Sequence, residues 1–139
     1  MTVFIDTGVL FAAAVRRDAR HERAARILTE VANDHPFTTD HVLLEAWMMI
    51  RARAGWAAAM RFLGAARGTP LGVEIVTLAD FERAQAIAHL WADQQFDLVD
   101  CTSFAVIERA GCARAASFDA DFAVWRYGAD RKRALEIVA

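Results

Sequence analysis

Apolar and polar positions along the chain alternate between two periods, and the switches between them predict strands and helices in turn. Val3, Phe4 and Ile5 form a short β-branched and aromatic run, so residues 2–5 are expected as a buried strand ending in the turn Asp6-Thr7-Gly8. Ala24, Ile27, Leu28 and Val31 recur at helical spacing and predict a helix to Asn33 capped by Asp18. Residues 35–39 read as a second strand. Asp40 is the expected cap of a helix from His41 to Ile50 that is apolar nearly all round until Arg51 and Arg53, which predicts burial. Residues 56–67 continue as another helix, broken by Gly68, Pro70 and Gly72 before a third strand at 73–78. Residues 80–95 are amphipathic, with Ala84, Ile87, Ala88 and Trp91 on one face. A helix at 97–110 closed by Gly111, a strand at 113–118 ending in Asp119, a short helix at 122–127 and a last strand at 134–138 complete the chain.

Strands alternating with helices predict an α/β fold, a parallel sheet with helices on both faces. In such sheets sites lie outside the carboxyl ends of the strands, where Asp6 and Asp119 both fall. At 139 residues the chain suits one domain, residues 1–139, with no repeat or linker. No apolar run reaches the ~18 residues a membrane span requires, and no secretory signal is read at the start, so a cytoplasmic location is expected.

Composition narrows the chemistry. The net charge of −2 gives no global attraction to phosphate, so nucleic-acid binding must come from local patches. Arg16, Arg17, Arg20, Arg23 and Arg26 crowd together and form either a phosphate-tracking strip or a solvated helix face. Cys101 and Cys112 lack metal or redox spacing and read as buried thiols. His21, His35, His41 and His89 are scattered, which argues against zinc. Trp47, Met48, Met49, Trp56 and Met60 are either core or a contact surface for a second copy or a partner.

Several carboxylates stand out. Glu45 interrupts an apolar helix, where an ionised group is costly unless it faces solvent, pairs with Arg51 or Arg53, or meets a cation. Asp6 either caps the following segment or serves a site. Asp97 and Asp100 fit a capping pair at a helix start, and Asp119 and Asp121 fit a cap on the short helix near the end. A parallel sheet can nevertheless bring all of them to one edge. Two carboxylates ~4 Å apart repel by roughly 4 kcal/mol at an effective dielectric near 20, so such a cluster needs raised pKa values or a counter-cation. Oxygen-only ligands suit Mg²⁺ or Mn²⁺ and the hydrolysis of phosphodiesters.

Phe-Ile-Asp6-Thr7, Glu45 in its apolar helix, Asp100-Cys-Thr-Ser-Phe-Ala105 and Ser117-Phe118-Asp119, in that order, resemble the PIN domain and within it the VapC-type toxins of toxin–antitoxin pairs. The resemblance covers essentially the whole chain. It implies a three-layer sandwich with a five-stranded parallel sheet of order 3-2-1-4-5, a homodimer, an antitoxin partner, and cleavage of RNA by an Mg²⁺-dependent endoribonuclease in which Mn²⁺ substitutes. It also implies catalytic roles for Asp6, Glu45, Asp100 and Asp119, with metal held or oriented by Asp6, Asp100 and Asp119. Thr7 and Ser117 become supporting hydroxyls, and Asp97 and Asp121 are alternatives for the third and fourth acids.

Four rivals are open to the sequence alone. Asp6-Thr7-Gly8 spells an aspartic-protease motif, but the predicted helices disagree with that β-rich class. An aspartyl-phosphatase would carry a second Asp where Gly8 stands. A non-catalytic PIN-like module, or a housekeeping RNA-processing nuclease, keeps the fold with another role.

Overall fold

The computed structural model describes residues 2–139. Its chain order is β1 Val3–Ile5, α1 Thr7–Ala14, α2 His21–Glu30, β2 Pro36–Thr39, α3 Asp40–Ala54, α4 Trp56–Gly68, β3 Gly72–Glu74, α5 Leu78–Leu90, α6 Leu98–Arg109, β4 Arg114–Ala116, α7 Ala120–Val124, β5 Arg126–Tyr127, β6 Arg133–Ala134 and β7 Glu136–Val138. The main sheet has five parallel strands in the order β3-β2-β1-β4-β7, with Phe4 opposite Phe37 on one side and Ala115 on the other. This is the expected 3-2-1-4-5 order, the fifth strand being β7 because the antiparallel ribbon β5–β6 intervenes.

The ladder is short, and its stability comes from what covers it. Val3, Phe4 and Ile5 of the central strand are fully buried. Phe4 stacks on Phe122 of α7 at 6.0 Å, and Phe104 of α6 packs against Phe122 at 4.9 Å and Trp125 at 4.4 Å, so one face of the sheet is closed by an aromatic layer. From β1 the chain moves outward through β2 to β3 and then crosses back to β4, a reversal that places helices on the two faces and leaves a crevice at the carboxyl ends of β1 and β4.

Several local expectations are corrected. Thr7–Ala14 is a helix where only a turn was expected, because Val9-Leu10-Phe11-Ala12 has no polar stripe to reveal it. Asp18 does not cap α2. Its Oδ1 accepts the Arg20 N–H two residues away, and the helix begins at His21 without a side-chain cap. Thr39 rather than Asp40 caps α3, accepting the Val42 N–H, while Asp40 ties down the Val76 N–H. The third strand is only Gly72–Glu74, since Thr77 and Asp80 build a capping box that starts α5 at Leu78. That helix stops at Leu90, short of Gln95, which sits in a left-handed turn at φ 52°. The terminal helix is Ala120–Val124, and Arg126 and Tyr127 join the ribbon instead. The helix α3 is not buried all round, because Leu44, Met48 and Met49 are exposed, as are Trp56 and Met60 of α4.

Candidate active site

Asp6 sits where β1 ends, and its backbone N–H still bonds to Ala116 O of β4 at 3.0 Å. Its carboxylate caps α1 through the Thr7 N–H at 2.7 Å, and its other oxygen accepts the Ser117 hydroxyl at 2.8 Å. Ser117 Oγ in turn accepts the Asp119 N–H at 3.0 Å. One hydroxyl therefore ties the acid after β1 to the acid after β4 and fixes both.

The remaining acids arrive from helix starts. Asp97 caps α6 by accepting the Asp100 N–H at 2.9 Å, which holds Asp100 in the first turn and nearly buries it at 6% exposure. Asp119 caps α7 through the Asp121 N–H at 2.9 Å. The capping accounts of Asp97 and Asp119 are thus correct, and they also aim the acids at one another. Carboxylate oxygens of Asp100, Asp119 and Asp121 lie within 4.8 Å of each other. Asp121, expected only as an alternative, joins Asp100 and Asp119 in this group, whereas Asp97 and Asp6 are outside it.

Glu45, less than two turns into α3, is half-buried and among the described residues forms no ion pair. Arg51 lies over the Trp47 ring at 5.8 Å instead, and Arg53 lines a different cleft. Burial raises the Glu45 pKa; the nearby Thr7 hydroxyl offsets part of the rise without completing a well-formed hydrogen bond, and Asp97 and Asp119 add to it. The electrostatics agree across the pocket. Burial, then Asp97, Asp6, Asp119 and Asp121, push the Asp100 carboxyl up to about 9. Burial raises Asp6 to about 6, against the lowering effect of its bonds to Ser117 and Thr7. Asp121 is raised as well, by burial and then by Asp119 and Asp97.

This donor set fits a hard divalent cation. It consists of carboxylate oxygens alone, three of them already within reach of one ion, and like charges this close cannot all ionise without one. Thr7 Oγ1 is buried next to Asp6 in the chain and has no hydrogen-bond partner among the described residues, a donor left over beside the acids. Burial, then Asp100, push the Cys101 thiol up to about 11, and it is not among the three grouped ligands. The residue that pattern reading passed over is Phe118, whose ring carries Arg20 and Arg23; its only signal was its place between Ser117 and Asp119.

A parallel α/β sheet with acids gathered at its central switch point is the PIN architecture, and the PIN domain family model matches residues 3–125, so the chain belongs to that family. Within it, the chain is 34% identical over 122 residues to the 23S rRNA-specific endonuclease VapC20 of two Mycobacterium tuberculosis strains, covering 86% of this chain and 91% of theirs. The crystal structure of Mycobacterium tuberculosis VapC20, described as a sarcin–ricin loop cleaving toxin, superposes with a TM-score of 0.81 at 33% identity over 88% of this chain and 93% of that one. VapBC2 from Rickettsia felis, bound to a DNA fragment from its promoter, shares the fold with a TM-score of 0.72 at 10% identity over 99% of this chain and 98% of that chain. The aspartic-protease and aspartyl-phosphatase rivals fall with the topology and the family.

Proposed function

We propose that this chain is a divalent-metal-dependent endoribonuclease acting as the toxin of a toxin–antitoxin pair, with structured ribosomal RNA as its substrate class. The observation that carries the reading is the convergence of Asp6, Glu45, Asp100, Asp119 and Asp121 on one crevice of a PIN fold, with two of these acids displaced far up in pKa by burial and by one another. The VapC20 relatives supply the substrate class. A cytoplasmic location, a homodimer and a cognate antitoxin go with this function. Among the described residues no helix is long and apolar enough to cross a membrane. An apolar groove of about 460 Å³ beside Leu10, Leu28 and Phe62 is a surface that an amphipathic antitoxin segment would cover.

Asp100, Asp119 and Asp121 would hold Mg²⁺, with Mn²⁺ as substitute, and Asp6 would orient the set. When bound, the ion neutralises charge on the phosphoryl and leaving oxygens and makes a water more acidic. The chain's own part is positional. Ser117 and the Thr7 N–H lock Asp6 in one rotamer, so its carboxylate need not reorganise as charge develops. Glu45, half-buried with a raised pKa, is suited to accept the proton of the attacking water and return it to the leaving oxygen. The Thr7 hydroxyl is free to hold that water.

Incubating the purified chain with ribosomal RNA or a sarcin–ricin loop hairpin, with Mg²⁺ and with EDTA, tests this. Cleavage at discrete sites that is lost with EDTA and with Asp119→Asn or Asp100→Asn is expected. Equal cleavage by wild type and both variants would remove the acids from the mechanism. No cleavage of either RNA, together with no metal binding, would favour a non-catalytic module.

A further inference from the structure

The proposed active site is itself acidic, and a single divalent ion offsets only part of its charge, so phosphates flanking the scissile bond are repelled unless cations meet them nearby. The net charge of −2 supplies no general attraction. The arginines divide into two groups by what they touch. Arg83, Arg109 and Arg114 are paired with Glu108, Asp80 and Asp34, and Arg126 is spent on the carbonyls of Ala123, Val124 and Trp125. The other eleven are exposed, and among the described residues none of them has a carboxylate within ion-pair distance; six of these, Arg16, Arg17, Arg20, Arg23, Arg53 and Arg61, lie near the acids or share one cleft.

These six are not scattered over the surface. Arg20 and Arg23 place their guanidinium carbons 5.1 Å and 5.5 Å from the centre of the Phe118 ring, between Ser117 and Asp119 in the chain. Stacking uses the face of a guanidinium and leaves its N–H edge free, the edge that grips a phosphate bidentately. The Asp18 carboxylate fixes the backbone here by accepting the Arg20 N–H at 2.8 Å, so the loop is shaped without neutralising a guanidinium. The same loop carries Arg16 and Arg17 into a cleft of about 510 Å³ whose other arginines are Arg53, at the end of α3, and Arg61 of α4. The cleft lies beyond the C-terminus of α1, whose eight residues span ~12 Å from its cap at Asp6.

We propose that Arg20 and Arg23, held on Phe118 beside the acids, and Arg16, Arg17, Arg53 and Arg61, lining the cleft beyond α1, form one track for the backbone phosphates flanking the scissile bond. The track presupposes the ribonuclease function proposed above. It gives the arginine-rich stretch of the sequence its role: the loop after α1 turns a local run of positive charge into a path that begins at the acids. Its arginines grip phosphate, so the track sets register and affinity and leaves base choice to other residues.

The test uses fluorescein-labelled sarcin–ricin loop hairpin RNA, anisotropy titrations across a salt series in the Asp119→Asn background, and steady-state cleavage in the otherwise native chain. Arg20→Gln/Arg23→Gln and Arg16→Gln/Arg17→Gln should each weaken binding about tenfold or more and flatten the slope of log K against log salt by about 0.7 to 0.9 for each phosphate no longer neutralised. KM should rise while kcat stays within about threefold. The corresponding lysine pairs should recover most of the slope, and Arg133→Gln, on the ribbon, should change nothing. If wild type binds the hairpin but both glutamine pairs keep its affinity and slope, the track is refuted while the ribonuclease reading stands, and the arginines serve another partner such as an acidic peptide segment. If wild type neither binds nor cleaves RNA, both fall together.

Discussion

Asp100 shows how a residue with a good structural account can also carry a site. It occupies the first turn of α6, where the Asp97 cap holds its N–H, and that placement buries its carboxyl among four other acids. A folded-state pKa near 9, against an ordinary 3.8, means the metal-free native state holds a proton that the unfolded chain releases. Unfolding therefore becomes easier as pH rises from about 4 to about 9. Asp6, raised to about 6, contributes the same sign over the lower part of that window. In EDTA, the unfolding temperature should fall between about pH 5 and about pH 8. Asp100→Asn should flatten that fall and stabilise the apo protein at the alkaline end, and an unchanged slope in thermal scans would show that Asp100 is not the group responsible. Ser117 is the other decisive residue, because its hydroxyl joins Asp6 to the Asp119 backbone. Ser117→Ala should lower metal affinity or cleavage by about 10- to 100-fold while costing about 1 kcal/mol of stability, measured by titration and by urea unfolding. Of the acids, Glu45 was the most legible in the sequence, since no amphipathic helix needs a carboxylate there. Asp121 was the least legible, because its nearness to Asp100 depends on how α7 docks.

At the level of elements, the chain's caps do more positioning than its propensities. Thr77 and Asp80 end β3 early and start α5, and Asp80 is then gripped by Arg109 of α6 at 2.8 Å and 3.0 Å. Burial raises the Asp80 pKa, but the bonds from Arg109 and Thr77 more than offset it, so its stabilisation is present above the ordinary carboxylate range and is lost as pH falls through the lowered value. Asp80→Ala should destabilise the fold by about 2 to 3 kcal/mol at neutral pH, measured by denaturant unfolding, from a lost cap and an arginine left without its partner. A cost below about 0.5 kcal/mol would contradict that account. The same elements mark the limit of pattern reading. A run such as Val9-Leu10-Phe11-Ala12 has no period, so α1 was invisible although Asp6 caps it. The β5–β6 ribbon has only two residues in each strand, and its pairing is fixed by the Gly128 turn at φ 90°, not by any alternation of side chains.

For the whole molecule, the parallel topology was legible because strand-like and helix-like segments alternate and the acids fall at strand ends. What the sequence left open was the outer surface. Leu44, Met48, Met49, Trp56 and Met60 are 40 to 61% exposed, so of the two readings open for Trp47, Met48, Met49, Trp56 and Met60 the surface one holds for all but the half-buried Trp47. Large apolar side chains of this kind on adjoining helices suit a contact with a second copy, and the homodimer expectation places it there. Met48→Glu/Trp56→Glu should shift the mass by light scattering from dimer to monomer with the unfolding temperature little changed. A wild-type monomer would refute the homodimer, and a dimer that survives both charges would move the contact elsewhere.

A divalent ion held by the clustered acids would show in the thermal unfolding of EDTA-treated protein with and without Mn²⁺. At 100 times the dissociation constant, binding should stabilise the wild type by about 2.7 kcal/mol, with the gain larger at alkaline than at acid pH because ion and proton compete for the same oxygens. Asp119→Asn and Asp100→Asn should lose the gain. A wild type indifferent to saturating Mn²⁺, or variants stabilised as fully as the wild type, would contradict such a site.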